Sequence, residues 1–269
     1  MQKIVLPGTD LILPRFVFGT GGLFNAGSRA RRRWLLDAAV DNGLTHFDTA
    51  PYYGFGLAES DLAPLLERNP QVTVTTKVGI YSPGGEDQPP SAVFLRKVGG
   101  RLFPALSRPT VDWNVARARR SLEDSLRRLG RDHIDLYMLH EPEISLLIAD
   151  EWLYWLETEV TVGRVRGFGI AVNADRLKPF LAAASPLAAI IQTQDSLVGR
   201  QADVILECGR PLQITYGYVS HAMRNQGPVD VPAVLAQALQ RNATGAIIVS
   251  TRRPKRVPVY ASLADKALG

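Results

Sequence analysis

The sequence is poor in the residues that build disulfide frameworks and metal sites. It contains one cysteine, Cys208, among 269 residues, which excludes an internal disulfide framework and a cysteine-rich zinc site. The four histidines are scattered, with no HExxH pair or similar ligand spacing. The sequence therefore predicts no metal site.

Long apolar runs are also absent. The longest stretch, residues 180–191, is too short to span a bilayer and is interrupted by Ser185 and Pro186. The first eight residues lack the apolar segment of a signal peptide. On these grounds we expect a cytoplasmic protein with no membrane partner.

Neither sign of charge dominates. Lys and Arg number 31 against 26 Asp and Glu, a net charge of +5. Most of the arginines lie in segments with helical patterns and lack interleaved aromatic residues, so we expect no nucleic-acid partner. The apolar content of 46% suits a globular chain that buries a sizeable core. No composition break divides the sequence, and we expect one domain over residues 1–269.

Short apolar runs alternate with amphipathic stretches along the chain. The predicted strands are residues 16–18, 45–48, 72–77, 134–139, 165–170, 188–192, 212–215 and 246–249. The predicted helices are residues 29–42, 58–67, 114–129, 146–160, 175–184, 201–207 and 231–242. Because each parallel crossover needs a connection of helix length, this order favours a parallel sheet. Residues 78–109, rich in glycine and proline, are expected to form a functional loop or lid.

Two parallel architectures compete for this pattern. A doubly wound open sheet would carry a glycine-rich phosphate turn after its first strand, and residues 19–22 match GxGxxG only in part. A (β/α)8 TIM barrel, typically of about 250 residues, fits the number of strands better. Apolar residues 4–5 and 11–13 flank a turn, which predicts a short N-terminal β-hairpin that closes the bottom of the barrel.

Four polar residues stand at or just after the ends of three successive predicted strands: Asp48, Tyr53, Lys77 and His140. Barrel active sites are built at the carboxyl ends of the strands. Each residue alone has an ordinary explanation in packing or as a solvated charge. Together they bring a carboxylate, a phenol, an ammonium and an imidazole to one place, which predicts an active site.

These residues lie in motifs that resemble the aldo-keto reductase superfamily. The matching segments include residues 47–54, 76–79 and 136–140, and the resemblance continues in order along nearly the whole chain. Residues 47–59 and 169–173 are most similar to the branch of D-threo-aldose dehydrogenases, which act on L-fucose and L-galactose. The resemblance implies a barrel that binds a nicotinamide nucleotide without a Rossmann motif, takes a small carbonyl or sugar substrate, and is a monomer.

The four polar residues suit hydride transfer between a nicotinamide and a carbonyl carbon. We expect Tyr53 to be the general acid, Lys77 to depress its pKa, and Asp48 to hold Lys77. His140 would donate a hydrogen bond to the carbonyl oxygen. Tyr52 is the alternative phenol, but Tyr53 directly precedes the glycine of the family motif.

The resemblance also implies contacts to the nicotinamide. Gln192 would bind its carboxamide together with Asn173, although the family's usual serine–asparagine pair is displaced here, and Tyr216 would stack on the ring. Residues 217–230 are shorter than the loop that commonly covers the cofactor, and Tyr260 replaces the family's asparagine. Both departures predict a more open site with weaker cofactor retention.

A basic segment, residues 250–256, follows the eighth predicted strand. Barrels commonly bind phosphate in the loops after strands seven and eight. By the resemblance, Arg256 would bind the adenosine 2′-phosphate, with Ser250 at the start of the motif and Arg252 or Arg253 supplying charge. This arrangement favours NADP(H), while NAD(H) stays possible.

Two classes of function stay open at this point. The first is an NAD(P)(H)-dependent oxidoreductase that interconverts a carbonyl compound with an alcohol or lactone. The second is a nucleotide-binding regulatory or sensor barrel with little turnover, since some members of the superfamily serve as channel subunits. The intact set of Asp48, Tyr53, Lys77 and His140 favours the enzyme.

Overall fold

Parallel strands close into a barrel in this computed structural model, which describes residues 1–85, 88, 91–92, 95 and 108–266. In chain order the strands are β1 (Lys3–Val5), β2 (Ile12–Pro14), β3 (Phe16–Gly19), β4 (His46–Asp48), β5 (Thr73–Val78), β6 (Ile80–Tyr81), β7 (Thr110–Val111), β8 (Leu136–His140), β9 (Phe168–Val172), β10 (Ile190–Gln194), β11 (Ile214–Tyr216) and β12 (Ala246–Val249). The barrel runs β3-β4-β5-β8-β9-β10-β11-β12 and closes by pairing β12 with β3. The predicted (β/α)8 barrel is confirmed, and the doubly wound sheet is excluded.

Helices cover the outside of the barrel. They are α1 (Arg29–Asp41), α2 (Leu57–Arg68), α3 (Val115–Leu129), α4 (Ala149–Thr161), α5 (Ala174–Ala182), α6 (Asp203–Glu207), α7 (Tyr218–Gln226), α8 (Val231–Arg241) and α9 (Val257–Lys266). Side-chain caps fix several starts: Ser28, Asn114 and Asp230 each accept a hydrogen bond from a backbone N–H of the first turn. The sequence predicted all of these helices except α7 and α9, with ends within three residues.

The strand ends differ from the predicted ends by up to three residues. Residues 188–192 were predicted as the sixth barrel strand, but β10 begins at Ile190. The reason is a 3₁₀ turn over Pro186–Ala188, which Pro186 starts. Near the start of the predicted loop 78–109, β6 pairs with β7, which directly follows the loop, so that the two ends of the loop lie together. The predicted lid at residues 86–87, 89–90, 93–94 and 96–107 lies outside the described residues.

The core has two layers because side chains alternate along the strands. Phe16 and Phe18 of β3 face outward into the apolar layer beneath the helices, whereas Val17 faces the interior of the barrel. Buried residues of the N-terminal hairpin, Leu6, Leu11 and Leu13, join that interior cluster. The predicted hairpin is confirmed, and it closes the end of the barrel at which the strands begin.

A buried ion pair ties β5 to two helices. Arg128 of α3 donates from Nε to Glu59 Oε2 of α2 at 2.7 Å, and Thr76 of β5 donates to Glu59 Oε1 at 2.6 Å. The side chains of Arg128 and Glu59 are 5% and 0% exposed. Because Thr76 precedes Lys77, this network also fixes the strand that carries the predicted cation.

Two absences apply to the described part of the chain. None of its helices is long and apolar enough to cross a membrane. The same residues bring together no group of three or more His, Cys, Asp or Glu side chains that could hold a metal ion.

Replacing Arg128 with methionine is expected to lower the free energy of unfolding by about 3–5 kcal/mol, because Glu59 would stay buried without its cation. The matched control is Arg127→Met on the same helix. Arg127 pairs with Asp124 at 3.0 Å, but the side chains are 63% and 42% exposed, so the expected loss is less than about 1 kcal/mol. Urea unfolding of the three proteins measures both values. Equal losses in the two variants would contradict the assignment of Glu59–Arg128 as a buried stabilising pair.

Candidate active site

A cavity of about 670 Å³ opens at the carboxyl ends of the barrel strands. Its lining contains nine of the ten predicted site residues: Asp48, Tyr53, Lys77, His140, Gln192, Tyr216, Ser250, Arg252 and Arg256. The tenth, Asn173, is not among the described lining residues. The structure thus brings together residues from six strand ends and the loops after them.

Lys77 forms a buried ion pair with Asp48 across neighbouring strands. Its Nζ donates to both carboxylate oxygens of Asp48 at 2.7 Å and to the backbone carbonyl of Thr49 at 2.9 Å. The Lys77 side chain is 1% exposed. Nζ lies 3.5 Å from the Tyr53 hydroxyl and 5.0 Å from the centre of its ring. The predicted contacts of Lys77 with Asp48 and Tyr53 are therefore present.

The pKa of Tyr53 lies above its ordinary value, contrary to the lowering expected from Lys77. Burial is the largest cause, and the charges of Asp48 and Glu141 raise this pKa further. The Lys77 ammonium lies 3.5 Å from the phenol but 2.7 Å from the Asp48 oxygens, so its charge is matched by that carboxylate. Burial likewise lowers the pKa of Lys77, while Asp48 opposes that change. Tyr53 therefore keeps its proton at neutral pH.

His140 ends β8 and stands edge-on to the Tyr53 ring. The ring centres are 5.8 Å apart, and the ring planes meet at 89°. Burial and then the charge of Lys77 lower the pKa of His140 to about 3. The imidazole is therefore neutral at physiological pH, with one N–H to donate.

Gln192 and Asn173, the predicted carboxamide pair, have different surroundings. Gln192 of β10 is buried, and its Oε1 has no hydrogen-bond partner among the described residues. Asn173 instead caps α5, because its Oδ1 accepts from Arg176 N at 3.1 Å and its Nδ2 donates to Glu141 Oε2 at 3.3 Å. An asparagine after a strand is also a preferred helix cap.

Helix α7 lies within residues 217–230, which were expected from the sequence to form a shortened loop. It follows Tyr216, and Tyr218 and Met223 of this helix line the cavity. The turn into it needs Gly217, which has φ 102° and whose added Cβ would lie 3.0 Å from Gln194 Cγ. The cavity therefore has a helical wall at this side.

The basic loop after β12 forms the far end of the cavity. Ser250 Oγ donates to the backbone carbonyl of Gly19 at 2.9 Å. Arg252 is exposed and Arg256 half-buried, and the charge of Arg256 opposes the rise in the pKa of Tyr260 that burial causes. The ring centre of Tyr260 lies 6.2 Å from that of Phe16. Tyr260 and Arg256 both line the cavity here.

The lining residues that were not predicted from the sequence include Gly19, Gly21 and Glu141. Gly21 lies against Tyr53, since an added Cβ would be 3.6 Å from that ring. For Gly19 and Gly21, the available sequence signal was the partial glycine motif after the first strand. The spacing of its glycines does not match the GxGxxG motif. Glu141 directly follows His140, so its position after a strand end was the available signal.

Comparison with known proteins identifies relatives along much of the chain. The model of the aldo/keto reductase family matches residues 15–210. A D-threo-aldose 1-dehydrogenase from a Pseudomonas species is 36% identical over 169 residues, which cover 60% of this chain and 50% of that protein. The NADH-specific methylglyoxal reductase of Escherichia coli is 32% identical over 194 residues, 67% of this chain and 55% of that protein. The chain spans about half the length of these curated relatives.

Solved structures share the fold. An aldo-keto reductase from Bacillus halodurans, in its holo form, has a TM-score of 0.74 and 21% identity, covering 98% of this chain and 91% of that one. A glycerol dehydrogenase from Gluconobacter oxydans has a TM-score of 0.73 and 21% identity, covering 97% and 89%.

The His140 ring is expected to stay neutral from roughly pH 5 to 8, because its pKa is held far below the ordinary value of about 6.5. NMR of protein labelled in the histidine rings measures the titration of each imidazole. The His140→Asn variant identifies the His140 signals by their loss. A midpoint near pH 6.5 for those signals would contradict the buried, neutral imidazole.

Proposed function

The chain belongs to the aldo/keto reductase family, and we propose that it is an oxidoreductase that interconverts a small carbonyl compound and its alcohol or lactone with NAD(P)(H). The observation that carries the proposal is the convergence of Asp48, Tyr53, Lys77 and His140 in one cavity. The relatives support it, because the family comprises oxidoreductases such as the aldose dehydrogenase and the methylglyoxal reductase. No observation favours the alternative of a regulatory barrel without turnover.

Two parts of the cavity suit the two ends of a nicotinamide nucleotide. The unpartnered Oε1 of Gln192 is buried within β10, and leaving such an acceptor unpaired costs about 1–3 kcal/mol. A carboxamide N–H would satisfy it, with Tyr216 beside it in the cavity wall. At the far end, Arg252 and Arg256 would hold phosphate. When bound, the nucleotide supplies or accepts the hydride.

Tyr53 would hold and deliver the proton of the reaction. Its raised pKa keeps the phenol protonated, as a general acid requires when the substrate oxygen gains negative charge. Lys77, 3.5 Å from the hydroxyl, would stabilise the phenolate left behind.

His140 would orient the substrate. A neutral imidazole donates one hydrogen bond without bringing a proton that competes with that of Tyr53. The 5.8 Å between the two ring centres allows both groups to face one carbonyl oxygen. A donor fixed in place stabilises the developing charge without reorganisation.

We further propose that NADP(H) is preferred, with NAD(H) as the alternative. Two arginines of the loop after β12, Arg252 and Arg256, line the cavity, and a guanidinium matches a phosphate dianion with paired hydrogen bonds. Tyr260 lines the cavity together with Arg256. The methylglyoxal reductase among the relatives is NADH-specific, so the family alone does not decide this preference.

Tyr53→Phe is expected to lower kcat by about 10²–10⁴-fold, because it removes the general acid. The dissociation constant for NADPH should change little, since the phenol ring stays in place. Tyr52→Phe is the matched control, and its kcat should stay near that of the wild type. Steady-state kinetics and cofactor titration measure the two effects. A wild-type kcat in Tyr53→Phe would remove this residue from its proposed role.

Arg256→Ala is expected to weaken NADPH binding by about 1–3 kcal/mol through loss of charged hydrogen bonds, with a smaller effect on NADH. The matched control is Lys255→Ala, an exposed neighbour that is not among the described cavity-lining residues. Dissociation constants for both reduced cofactors test the preference. Equal affinities in the wild type, or equal losses for the two cofactors in Arg256→Ala, would contradict it.

A further inference from the structure

Glu141 places a second carboxylate at the catalytic end of the cavity. It follows His140, lines the cavity and is half-buried. Its backbone has φ 54°, the left-handed conformation that residues other than glycine rarely adopt. Strained residues of this kind persist where the surrounding structure holds them, and they cluster at ligand-binding sites.

The carboxylate of Glu141 is held by the start of α5. Its Oε2 accepts from the backbone N and from Nδ2 of Asn173, each at 3.3 Å. Arg176 donates to the backbone carbonyl of Glu141 at 2.5 Å. Within the described part of the chain, the hydrogen bonds to this carboxylate go to Oε2, which leaves Oε1 to accept from a ligand.

The charges around the cavity are unevenly distributed. The described lining residues include two acidic side chains, Asp48 and Glu141, and three basic ones, Lys77, Arg252 and Arg256. Asp48 and Lys77 neutralise each other at 2.7 Å. The two arginines lie on the loop after β12, at the proposed phosphate end. The catalytic end is therefore left with the negative charge of Glu141.

Two tyrosines of the cavity lining respond to this charge. The Glu141 carboxylate contributes to the raised pKa of Tyr53 and of Tyr216, after burial in both cases. Burial also raises the pKa of Glu141 itself, while Asn173 and Arg176 oppose that change. The carboxylate is thus only partly solvated, and its field is weakly screened.

We infer that Glu141 selects the substrate by charge: the site accepts neutral carbonyl compounds with a hydroxyl or amide N–H donor and excludes those that carry a carboxylate in the place of that donor. A substrate hydroxyl would donate to Oε1 of Glu141, whereas an anionic group would meet a fixed like charge. The inference rests on the proposed function, because it names the substrate class of the same site.

A structural role for Glu141 makes a different prediction. A carboxylate at the N-terminus of α5 also stabilises that helix, and its loss would lower stability and affect all substrates alike. Charge selection changes the preference between two substrates that differ only in charge. The informative quantity is therefore a ratio of kcat/KM values.

The test compares 4-formylbenzamide with 4-formylbenzoate, which have similar size and differ by one charge. At neutral pH and saturating cofactor, the wild type is expected to prefer the amide by on the order of 10-fold or more. Glu141→Gln should move the ratio toward one, whereas Glu141→Asp, which keeps the charge, should retain the preference. Glu143→Gln, an exposed site two residues away, should leave the wild-type ratio.

Any of three results would overturn the inference: a wild-type ratio near one, an unchanged ratio in folded Glu141→Gln, or an equal shift in Glu143→Gln. A binding experiment distinguishes failure of charge selection by Glu141 from failure of the proposed oxidoreductase function. If neither aldehyde is reduced with NADPH or NADH, the oxidoreductase proposal fails for these substrates. Calorimetric titration then still measures the affinity of the protein for each aldehyde, and we expect tighter binding of the amide. Equal affinities, or no binding of either aldehyde, would reject charge selection by Glu141.

Discussion

The buried pair of Lys77 and Asp48 is the interaction on which the site depends. An ammonium with 1% of its side chain exposed is tolerated only where its three donors are satisfied. The two oxygens of Asp48 and the carbonyl of Thr49 accept at 2.7–2.9 Å. Because Asp48 and Lys77 stand on adjacent strands, the parallel pairing of β4 with β5 is what makes this arrangement available.

Burial sets the protonation of the neighbouring residues, and the charges of this pair add to its effect. Burial and then the charge of Asp48 raise the pKa of Tyr53, so that it stays protonated, while burial and then the charge of Lys77 lower the pKa of His140, so that it stays neutral. The site then offers two uncharged donors beside an internally compensated ion pair. In the proposed reaction these donors meet charge only as it develops on the substrate oxygen, which is the condition for selective stabilisation of a transition state.

The sequence predicted the barrel because apolar strands and amphipathic helices alternate, and it predicted most of the site because strand ends converge on one face. It could not predict the pKa of Tyr53, since that depends on how deeply the phenol is buried and on its nearness to Asp48 and Glu141. Helix α7 escaped prediction because Tyr218 is its one buried residue, so it lacks an apolar stripe.

Asn173 shows a different limit of sequence interpretation. An asparagine after a strand suits both a ligand-binding amide and a helix cap, and the structure has it as a cap. Glu141 shows the converse, because a residue with no assigned role turns out to line the cavity beside His140. In both cases side-chain direction decides the outcome, and the strand pattern does not contain that information.

The hairpin floor of the barrel has a consequence for how this protein can change over evolution. Leu6, Leu11 and Leu13 add apolar burial at the end opposite the cavity, where they contribute stability without touching the reacting groups. Active-site residues such as strained Glu141 lower stability. Stability contributed at this remote end allows the residues around the cavity to accumulate destabilising substitutions before the protein unfolds. The N-terminal hairpin thereby widens the range of substrate specificities that mutations can reach.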